Sequence, residues 1–267
     1  MPINRTFYLL AYAVLRCPSM NVSLYQAAAA LNANTRWQEM IAENLAASSV
    51  PGYKKQELSF ASIEAGLMPG TGMAGAQHFS LPHARSATNF QPGELNPTGV
   101  STDVALEGRG FIPVQLPDGQ TGYTRDGQFH LSSSGQLVTK QGFAVLGDGG
   151  PIQLDVNNHT ELSISATGEV SQGADIKGTI KAVDFNDPNR LTPISYGCFL
   201  ATDPNLKPID AAGTFLRQGC LEGANTSVSS EMAHLITSMR MFEANQKVIQ
   251  TQDERMGKAI SELANPN

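Results

Sequence analysis

Residues 226–263, TSVSSEMAHLITSMRMFEANQKVIQTQDERMGKAISEL, carry the most regular apolar pattern in the chain. One column of apolar side chains recurs at strict seven-residue intervals: Val228, Leu235, Phe242, Ile249, Met256 and Leu263. A second column contains Met232, Met239 and Ile260 and is interrupted by Gln246 and Asp253. Such a pattern is typical of a long helix that lies against another helix.

A second helix is predicted near the other end of the chain, over residues 21–48. This stretch has no Gly or Pro and offers Asn21 or Ser23 as a polar N-cap, and Pro51-Gly52 follows as a stop signal. Two rows recur in it every seven residues: Leu24, Leu31, Gln38 and Leu45, and beside them Ala27, Asn34 and Ile41. We therefore predict that the two terminal helices meet as a coiled-coil-like pair.

Residues 103–222 show a different pattern of short alternating runs, at 104–106, 111–116, 128–131 and 136–139. The turn dipeptides are Asp118-Gly119, Asp126-Gly127, Ser134-Gly135 and Thr167-Gly168, all suited to the positive φ of tight hairpins. The predicted fold class is α+β, with a mainly-β central domain of short antiparallel strands between an N-terminal and a C-terminal helix.

Two further segments have a less regular pattern. Residues 51–102, rich in Gly, Pro, Ser, Thr and Ala, are predicted to be a linker or extended arm. Residues 1–19 contain an apolar run after Arg5 that looks like a signal peptide, but they lack an A-x-A cleavage site. We favour the alternative that Met20 is the true start and that residues 1–19 are an upstream extension.

Composition excludes several classes of function. A net charge of −6 over 267 residues argues against a nucleic-acid groove, and no segment has the roughly 20 apolar residues of a membrane span. The three cysteines, Cys17, Cys198 and Cys220, form no CxxC pair. Cys198 and Cys220 could join in a disulfide outside the cytoplasm, and the alternative is that both are free thiols.

An enzyme is disfavoured by the placement of the reactive side chains. The carboxylates that could form a pair for sugar chemistry are Glu94, Asp103, Glu107, Asp118 and Asp126. Asp118 and Asp126 precede a Gly, where a turn alone accounts for Asp. The histidines are scattered: His78, His83, His130, His159 and His234. No catalytic, cofactor-binding or metal site is predicted. A secreted β-rich adhesin or binding module remains an alternative, although it would need no heptad helix at either end.

Three ordered blocks of sequence resemble the flagellar rod and hook family of axial proteins. The first has Leu24-Tyr25, Leu31, the run 41–46 (IAENLA) and the run 51–54 (PGYK), with departures at Glu43, Ala47 and Val50. The second has residues 103–111 (DVALEGRGF), 123–127 (YTRDG) and 135–138 (GQLV). The third has residues 219–226 (GCLEGANT) and 242–247 (FEANQK), with Cys220 where the family usually has Tyr or Val.

The resemblance implies a structural subunit of the bacterial flagellar basal-body rod, which self-assembles into the axial drive shaft and transmits torque. It implies as partners further copies of the chain, other axial rod and hook proteins and the type III export apparatus, with no nucleic acid and no small-molecule substrate. The expected location is the periplasm-spanning rod, reached without a cleaved signal peptide. Gly149-Gly150-Pro151-Ile152 and Leu221-Glu222-Gly223 look closer to the proximal-rod type than to the distal-rod type.

Helix packing and assembly are expected to depend on the apolar columns. An ordinary helical hairpin in a monomer would explain periodicity alone equally well, and the resemblance favours assembly, since head-to-tail contacts that do not close generate a helical tube. Gln38, Gln246 and Asp253 are expected to set the register between subunits. The expected packing and assembly residues are Leu24, Ala28, Leu31, Ile41, Leu45, Val228, Met232, Leu235, Met239, Phe242, Ile249, Met256, Ile260 and Leu263.

Overall fold

The structure, a computed structural model, describes residues 18–68, 77–156, 158, 160–194 and 197–264. These residues fall into two compact units. The first contains residues 18–42, 57–68, 77–87 and 231–264, and the second contains residues 43–56 and the described residues from 88 to 230. Most of the predicted N-terminal extension, residues 1–17, lies outside the described part of the chain.

Two long helices supply most of the first unit. Helix α1 spans Pro18–Ala46, and helix α2 spans Val228–Ala264. Helix α1 begins three residues before the predicted Asn21, and its only proline is its first residue, where a missing N–H breaks no helical hydrogen bond. The α+β class, with helices flanking many short strands, is confirmed.

Residues 51–102, predicted to be a linker or extended arm, contain two long strands. Strand β1 spans Gln56–Met68 and strand β2 spans Gln77–Thr88, and the two pair as a two-stranded sheet. The Ser59 hydroxyl also donates to the Arg85 carbonyl at 3.5 Å. Strand pairing satisfies the backbone N–H and C=O groups whatever the side chains are. The composition of this stretch, rich in Gly and Ser, therefore did not predict these strands.

The second unit contains the β-domain. Its strands are β3 Leu95–Pro97, β4 Val104–Glu107, β5 Ile112–Gln115, β6 Thr121–Thr124, β7 Phe129–Leu131, β8 Leu137–Thr139, β9 Ala144–Gly147, β10 Gly150–Pro151, β11 Leu162–Ile164, β12 Glu169–Gln172, β13 Asp175–Thr179, β14 Val183–Asp184, β15 Thr192–Ile194, β16 Cys198–Leu200, β17 Ile209–Asp210, β18 Phe215–Gln218 and β19 Cys220–Glu222. The largest sheet has the strand order β15-β16-β6-β5-β9-β8-β7, with β10 paired to β9, and β11–β13 form a separate three-stranded sheet. Two-stranded pairs are β14 with β17, β18 with β4, and β19 with β3.

The core of the second unit consists of two clusters. The aliphatic cluster includes Ile112, Val145 and Val170, all fully buried. Burial of each such side chain contributes about 1.5–3 kcal/mol to the free energy of folding. In the aromatic cluster, the ring of Tyr123 meets that of Phe185 edge-on, with centroids 4.8 Å apart. Alternate residues of β5 and β12 point inward, as the period of two in a strand requires.

One predicted hairpin turn was wrong. Gly119, Gly135 and Gly168 have φ of 80°, 82° and 90°, as predicted for hairpin turns. Gly127 does not adopt positive φ, and β6 and β7 on either side of it are not neighbours in the sheet. A Cβ at Gly127 would lie 1.6 Å from the Val104 carbonyl oxygen, so a close backbone approach requires this glycine.

Candidate functional site

A sharp turn follows α1 and leads the chain into the β-domain. The Ser48 hydroxyl donates to the Leu45 carbonyl at 2.8 Å, and Pro51 prevents the helix from continuing. Gly52 has φ of +68°, and its N–H donates to the Glu222 carbonyl at 2.7 Å. A Cβ at Gly52 would lie 2.3 Å from the carbonyl carbon and oxygen of Arg125, so both the backbone conformation and the available space require glycine here.

Next to this turn, a buried carboxylate holds two cations. Glu222 Oε1 accepts hydrogen bonds from Lys54 Nζ at 2.5 Å and from the Gly93 N–H at 2.8 Å. Glu222 Oε2 accepts from Arg125 Nη1 at 3.0 Å. The side chains of Lys54 and Glu222 have no exposed surface, and that of Arg125 is 4% exposed. A buried charge with this many partners is stable only while its partners remain in place.

Burial and the two neighbouring charges shift the pKa of Lys54 in opposite directions. Burial lowers the pKa of Lys54, while the Glu222 carboxylate raises it and the nearby Arg125 lowers it further. The remaining donors find carbonyl oxygens, since Lys54 Nζ donates to Gln91 at 2.9 Å and Arg125 Nη2 donates to Gly108 at 3.0 Å. Glu222 is the one carboxylate in this cluster, and it is the counter-charge of both Lys54 and Arg125. The three groups together carry one net positive charge.

Two asparagines bind the backbone on either side of the cluster. Asn44 Oδ1 accepts from the Tyr53 hydroxyl at 3.0 Å and from the Gln56 N–H at 2.9 Å, and its amide donates to the Gln56 carbonyl. Asn225 Oδ1 accepts from the Lys55 N–H at 2.7 Å, and its amide donates to the carbonyls of Asn89 and Gln91. We call Asn44, Lys54, Arg125, Glu222 and Asn225 the polar junction. It fixes the last turn of α1 and the residues preceding α2 to the β-domain.

Every residue of the polar junction lies in one of the three blocks that resemble the rod and hook family, but the sequence predicted no role for any of them. Asn44 and Lys54 lie in the first of the three blocks, Arg125 in the second, and Glu222 and Asn225 in the third. The feature of the sequence that could have indicated these residues is that each block contains a charged or amide residue beside a glycine or an apolar run. Nothing in the sequence shows that these residues meet, because Lys54 and Glu222 are separated by 168 positions.

The structure distributes the expected packing residues between inner and outer faces of the helices. On α2, Leu235, Phe242, Ile249 and Met256 are half-buried, whereas Val228, Met232, Met239 and Ile260 are 46%, 52%, 52% and 66% exposed. On α1, Ile41 is buried, Leu31 and Leu45 are half-buried and Ala28 is exposed. The side chains of Leu24 and Leu263 lie outside the described part of the structure. The role of these residues in assembly stays a prediction.

A polar column on α2 lies beside the half-buried apolar column and was not predicted. It contains Glu231 and Ser238, both buried, and Asn245 and Gln252, both half-buried, again at seven-residue intervals. The Asn34 amide on α1 donates to the Ser238 carbonyl at 2.8 Å, so the two helices lie side by side here. Of the expected register residues, Gln38 is half-buried and Gln246 and Asp253 are exposed.

The carboxylates considered for catalysis are dispersed or engaged in turns. Glu94, Glu107 and Asp118 are exposed, while Asp103 and Asp126 are buried. Asp103 Oδ2 accepts from the Thr98 hydroxyl at 2.7 Å, and Asp126 Oδ1 accepts from the Gln128 N–H at 2.9 Å. Burial raises the pKa of Asp126, and the neighbouring Asp103 contributes a smaller increase.

The described residues contain no candidate metal centre, disulfide or membrane-spanning helix. Among them, no three His, Cys, Asp or Glu side chains could together hold a metal ion, and His159 lies outside them. Cys198 and Cys220 are free thiols, Cys198 buried and Cys220 half-buried. Over the same residues, neither helix combines the length and apolar character needed to cross a bilayer.

Comparison with known proteins identifies similar chains. The family described as "Flagellar hook protein FlgE/F/G D1 domain" matches residues 105–172, and the one described as "Flagellar basal body rod FlgEFG protein C-terminal" matches residues 217–262. A flagellar basal-body rod protein FlgG of Borreliella burgdorferi is 32% identical over 89% of this chain and 97% of its own length. FlgG of Buchnera aphidicola subsp. Acyrthosiphon pisum is 31% identical over 90% and 99%. The rod protein FlgF of Salmonella typhimurium is 31% identical over 90% and 97%.

Proposed function

Because the chain belongs to the flagellar basal-body rod protein family, we propose that it is a structural subunit of the rod that assembles through exposed apolar faces of its terminal helices. Its relatives are named rod proteins, and the similarity extends over about nine-tenths of the chain. Neither the families nor the relatives support a secreted adhesin. The proposed role is non-enzymatic.

The observation that carries this proposal is the large apolar surface that α2 leaves in contact with water. Met232, Ile236 and Met239 recur at spacings of four and three residues, and each is more than half exposed. A stripe of this kind is typical of a surface that is covered by another protein. Among the α2 side chains that the structure describes, the exposed large apolar residues are Val228, Met232, Ile236, Met239, Met241, Val248 and Ile260.

The polar junction suits a subunit that carries mechanical load. Asn44 lies in the last turn of α1, and Asn225 lies three residues before α2 begins. Each of them hydrogen-bonds to the backbone of the second unit. Both asparagines reach the same short segment, residues 53–56, which Lys54 ties to the buried Glu222. In the proposed role, these hydrogen bonds and the buried ion pairs of Glu222 carry torque from the helix ends into the β-domain.

The proposed partners are further copies of the chain and other axial proteins of the rod and hook. Delivery by the flagellar export apparatus without a cleaved signal peptide, and placement in the periplasm-spanning rod, belong to the same proposal. The proximal-rod position stays a prediction. It would be tested by the order in which rod proteins are lost from basal bodies of a deletion strain.

The proposal is tested by placing a charge on the exposed stripe. Met239→Glu introduces a carboxylate that a neighbouring chain would have to desolvate, so we expect a folded, exported subunit that is absent from basal bodies. Gln250→Glu is the matched control, because it adds the same charge at an exposed polar position of the same helix. Immunoblots of purified basal bodies and swimming assays give the measurement. Normal incorporation of Met239→Glu would refute assembly through this face.

A further inference from the structure

The apolar column of α2 cannot by itself fix how α2 lies along α1. Leu235, Phe242, Ile249 and Met256 repeat every seven residues, so a slip of seven residues replaces one apolar contact by another of similar kind. The polar column beside it repeats with the same period. A feature that does not repeat is needed to select one alignment.

Asn34 provides such a feature. It is 4% exposed, and its amide donates to the Ser238 carbonyl at 2.8 Å. The flanking members of its heptad row, Ala27 and Ile41, are buried and apolar. Asn34 Oδ1 is buried and accepts no hydrogen bond from any residue in the described part of the chain. A half-satisfied buried amide costs stability, and a position of that kind is known in helix pairs to specify alignment rather than strength.

Ser238 is the only small member of the polar column, whose other members are Glu231, Asn245 and Gln252. It has no exposed surface, and its hydroxyl donates to the Leu235 carbonyl at 2.8 Å. Its small side chain leaves its own carbonyl accessible to the Asn34 amide. A slip of seven residues would set Glu231 or Asn245 against Asn34. Glu231 would bring an acceptor-only carboxylate towards the unpartnered Oδ1, and Asn245 would fill the space through which Asn34 approaches.

We propose that Asn34 is the positioning residue that fixes the register of α1 against α2, by inserting its amide at the one small residue of the polar column. This role concerns a single subunit and goes beyond the proposed function in the rod. Gln246 and Asp253, which are expected to set the register between subunits, are exposed and take no part in this contact within the subunit.

The test measures register directly. Spin labels on cysteines at the exposed positions Glu39 and Arg240, in the full chain with its three native cysteines replaced by alanine, report the distance between the helices. The parent protein should give one narrow distance distribution. Asn34→Leu should give a second population, displaced by about 10 Å along the axis for a seven-residue slip, or a broad distribution. The urea midpoint of this variant should be unchanged or higher, a combination that simple loss of packing would not produce.

Ser238 supplies the matched pair of variants. Ser238→Ala keeps the small side chain and the carbonyl, so it should retain the narrow distance. Ser238→Leu blocks the approach of Asn34 and should broaden the distribution as Asn34→Leu does. Far-UV circular dichroism must show native helix content for each variant. A narrow, unshifted distance in Asn34→Leu, or a broad distance in the parent protein, would overturn the proposal.

Discussion

Lys54 and Glu222 form a fully buried ion pair, with Nζ and Oε1 2.5 Å apart, although 168 positions separate them in the chain. Arg125 completes the cluster from a third part of the sequence. Because the cluster holds two cations and one carboxylate, its members are not equivalent. This asymmetry leads to the first prediction.

Glu222→Gln is expected to destabilise the protein strongly, because it leaves Lys54 and Arg125 buried without a counter-charge. Breaking a buried pair in this way costs about 3–5 kcal/mol in the free energy of unfolding. Lys54→Met is expected to cost less, because the pair of Arg125 with Glu222 survives at 3.0 Å and burial already disfavours the charge of Lys54. Urea unfolding followed by circular dichroism of the strands measures both. Equal costs for the two variants would contradict a central role for Glu222.

The second prediction separates backbone strain from close packing. Gly52 and Gly99 have φ of +68° and +72°, but an added Cβ would collide with the Arg125 backbone at Gly52 and meet nothing within 4 Å at Gly99. Gly99→Ala should therefore cost only the conformational penalty of about 1–2 kcal/mol. Gly52→Ala should cost distinctly more, because the turn must also move away from Arg125. Similar unfolding midpoints for the two variants would show that the turn tolerates a side chain.

The third prediction concerns pH. Burial raises the pKa of Asp126 in the folded protein, so the folded state takes up this proton before the unfolded chain does as the pH falls. The contribution of Asp126 to stability therefore increases as the pH falls through the folded-state value, and it levels off below the unfolded value of about 3.9. Asp126→Asn lacks this dependence and keeps an acceptor for the Gln128 N–H. Relative to the parent, it should be more stable at neutral pH and lose that advantage towards pH 4.

A close control exists for this measurement. Asp118 Oδ1 accepts from the N–H two residues further on, that of Gln120, at 3.0 Å, as Asp126 does from Gln128, but Asp118 is exposed. Asp118→Asn should change the free energy of unfolding by no more than about 0.5 kcal/mol at neutral pH. If Asp126→Asn and Asp118→Asn behave alike from pH 4 to pH 7, the burial of Asp126 carries no electrostatic cost.

The fourth prediction distinguishes the two described thiols. Burial raises the pKa of Cys198 to about 11, and this residue is 2% exposed on β16, a strand that pairs with β6 and β15. Because the thiolate is the reactive species, Cys198 should resist iodoacetamide at pH 8 in the folded protein, while the half-buried Cys220 reacts faster. Peptide mass spectrometry after timed quenching measures each site. In denaturant both should react at similar rates, and a fast Cys198 in the folded state would contradict its burial.

The sequence predicted those parts of the fold that depend on local pattern. The seven-residue column from Leu235 to Met256 indicated α2, and the Asp118-Gly119 turn indicated the hairpin of β5 and β6. Gly127 was misinterpreted because an Asp-Gly pair signals a turn locally, whereas the need for glycine comes from Val104, a residue 23 positions away. Strands β1 and β2 were missed because their order comes from pairing with each other.

The residues of the polar junction lie in the three blocks that resemble the rod and hook family, but the sequence predicted neither their role nor their arrangement. Arg125 and Glu222 belong to different blocks, and no periodicity relates them; only the packed β-domain brings Nη1 and Oε2 to 3.0 Å. The sequence pattern also did not predict which side chains α2 buries. Met232 and Met239 belong to the second apolar column of the sequence, whereas the residues that the structure buries at these two levels of α2 are Glu231 and Ser238, each one position earlier. A polar contact with Asn34 outweighs the hydrophobic signal at that level of the helix.

The last prediction concerns Phe242, the largest side chain in the apolar column of α2. It is half-buried in the single chain, so Phe242→Ala should lower the free energy of unfolding by less than the about 3–5 kcal/mol of a fully buried aromatic. Met241→Ala, at a neighbouring position that is 50% exposed, should change it by no more than about 0.5 kcal/mol. Trp37, the only tryptophan, lies on α1 in the same unit, so its fluorescence reports this unfolding separately from the β-domain.

In the assembled rod, Met241→Ala should have the larger effect of the two variants if neighbouring chains cover the outer face of α2. Met241 would then lie in a contact between subunits, and Met241→Ala would weaken incorporation into basal bodies while leaving the isolated chain intact. Phe242→Ala would act first on the subunit itself, through lost packing within the helix pair. Comparing urea midpoints with the amount of each variant in purified basal bodies separates the two effects. Parallel losses in both measurements would place Phe242 and Met241 on one common face and contradict the division into inner and outer surfaces.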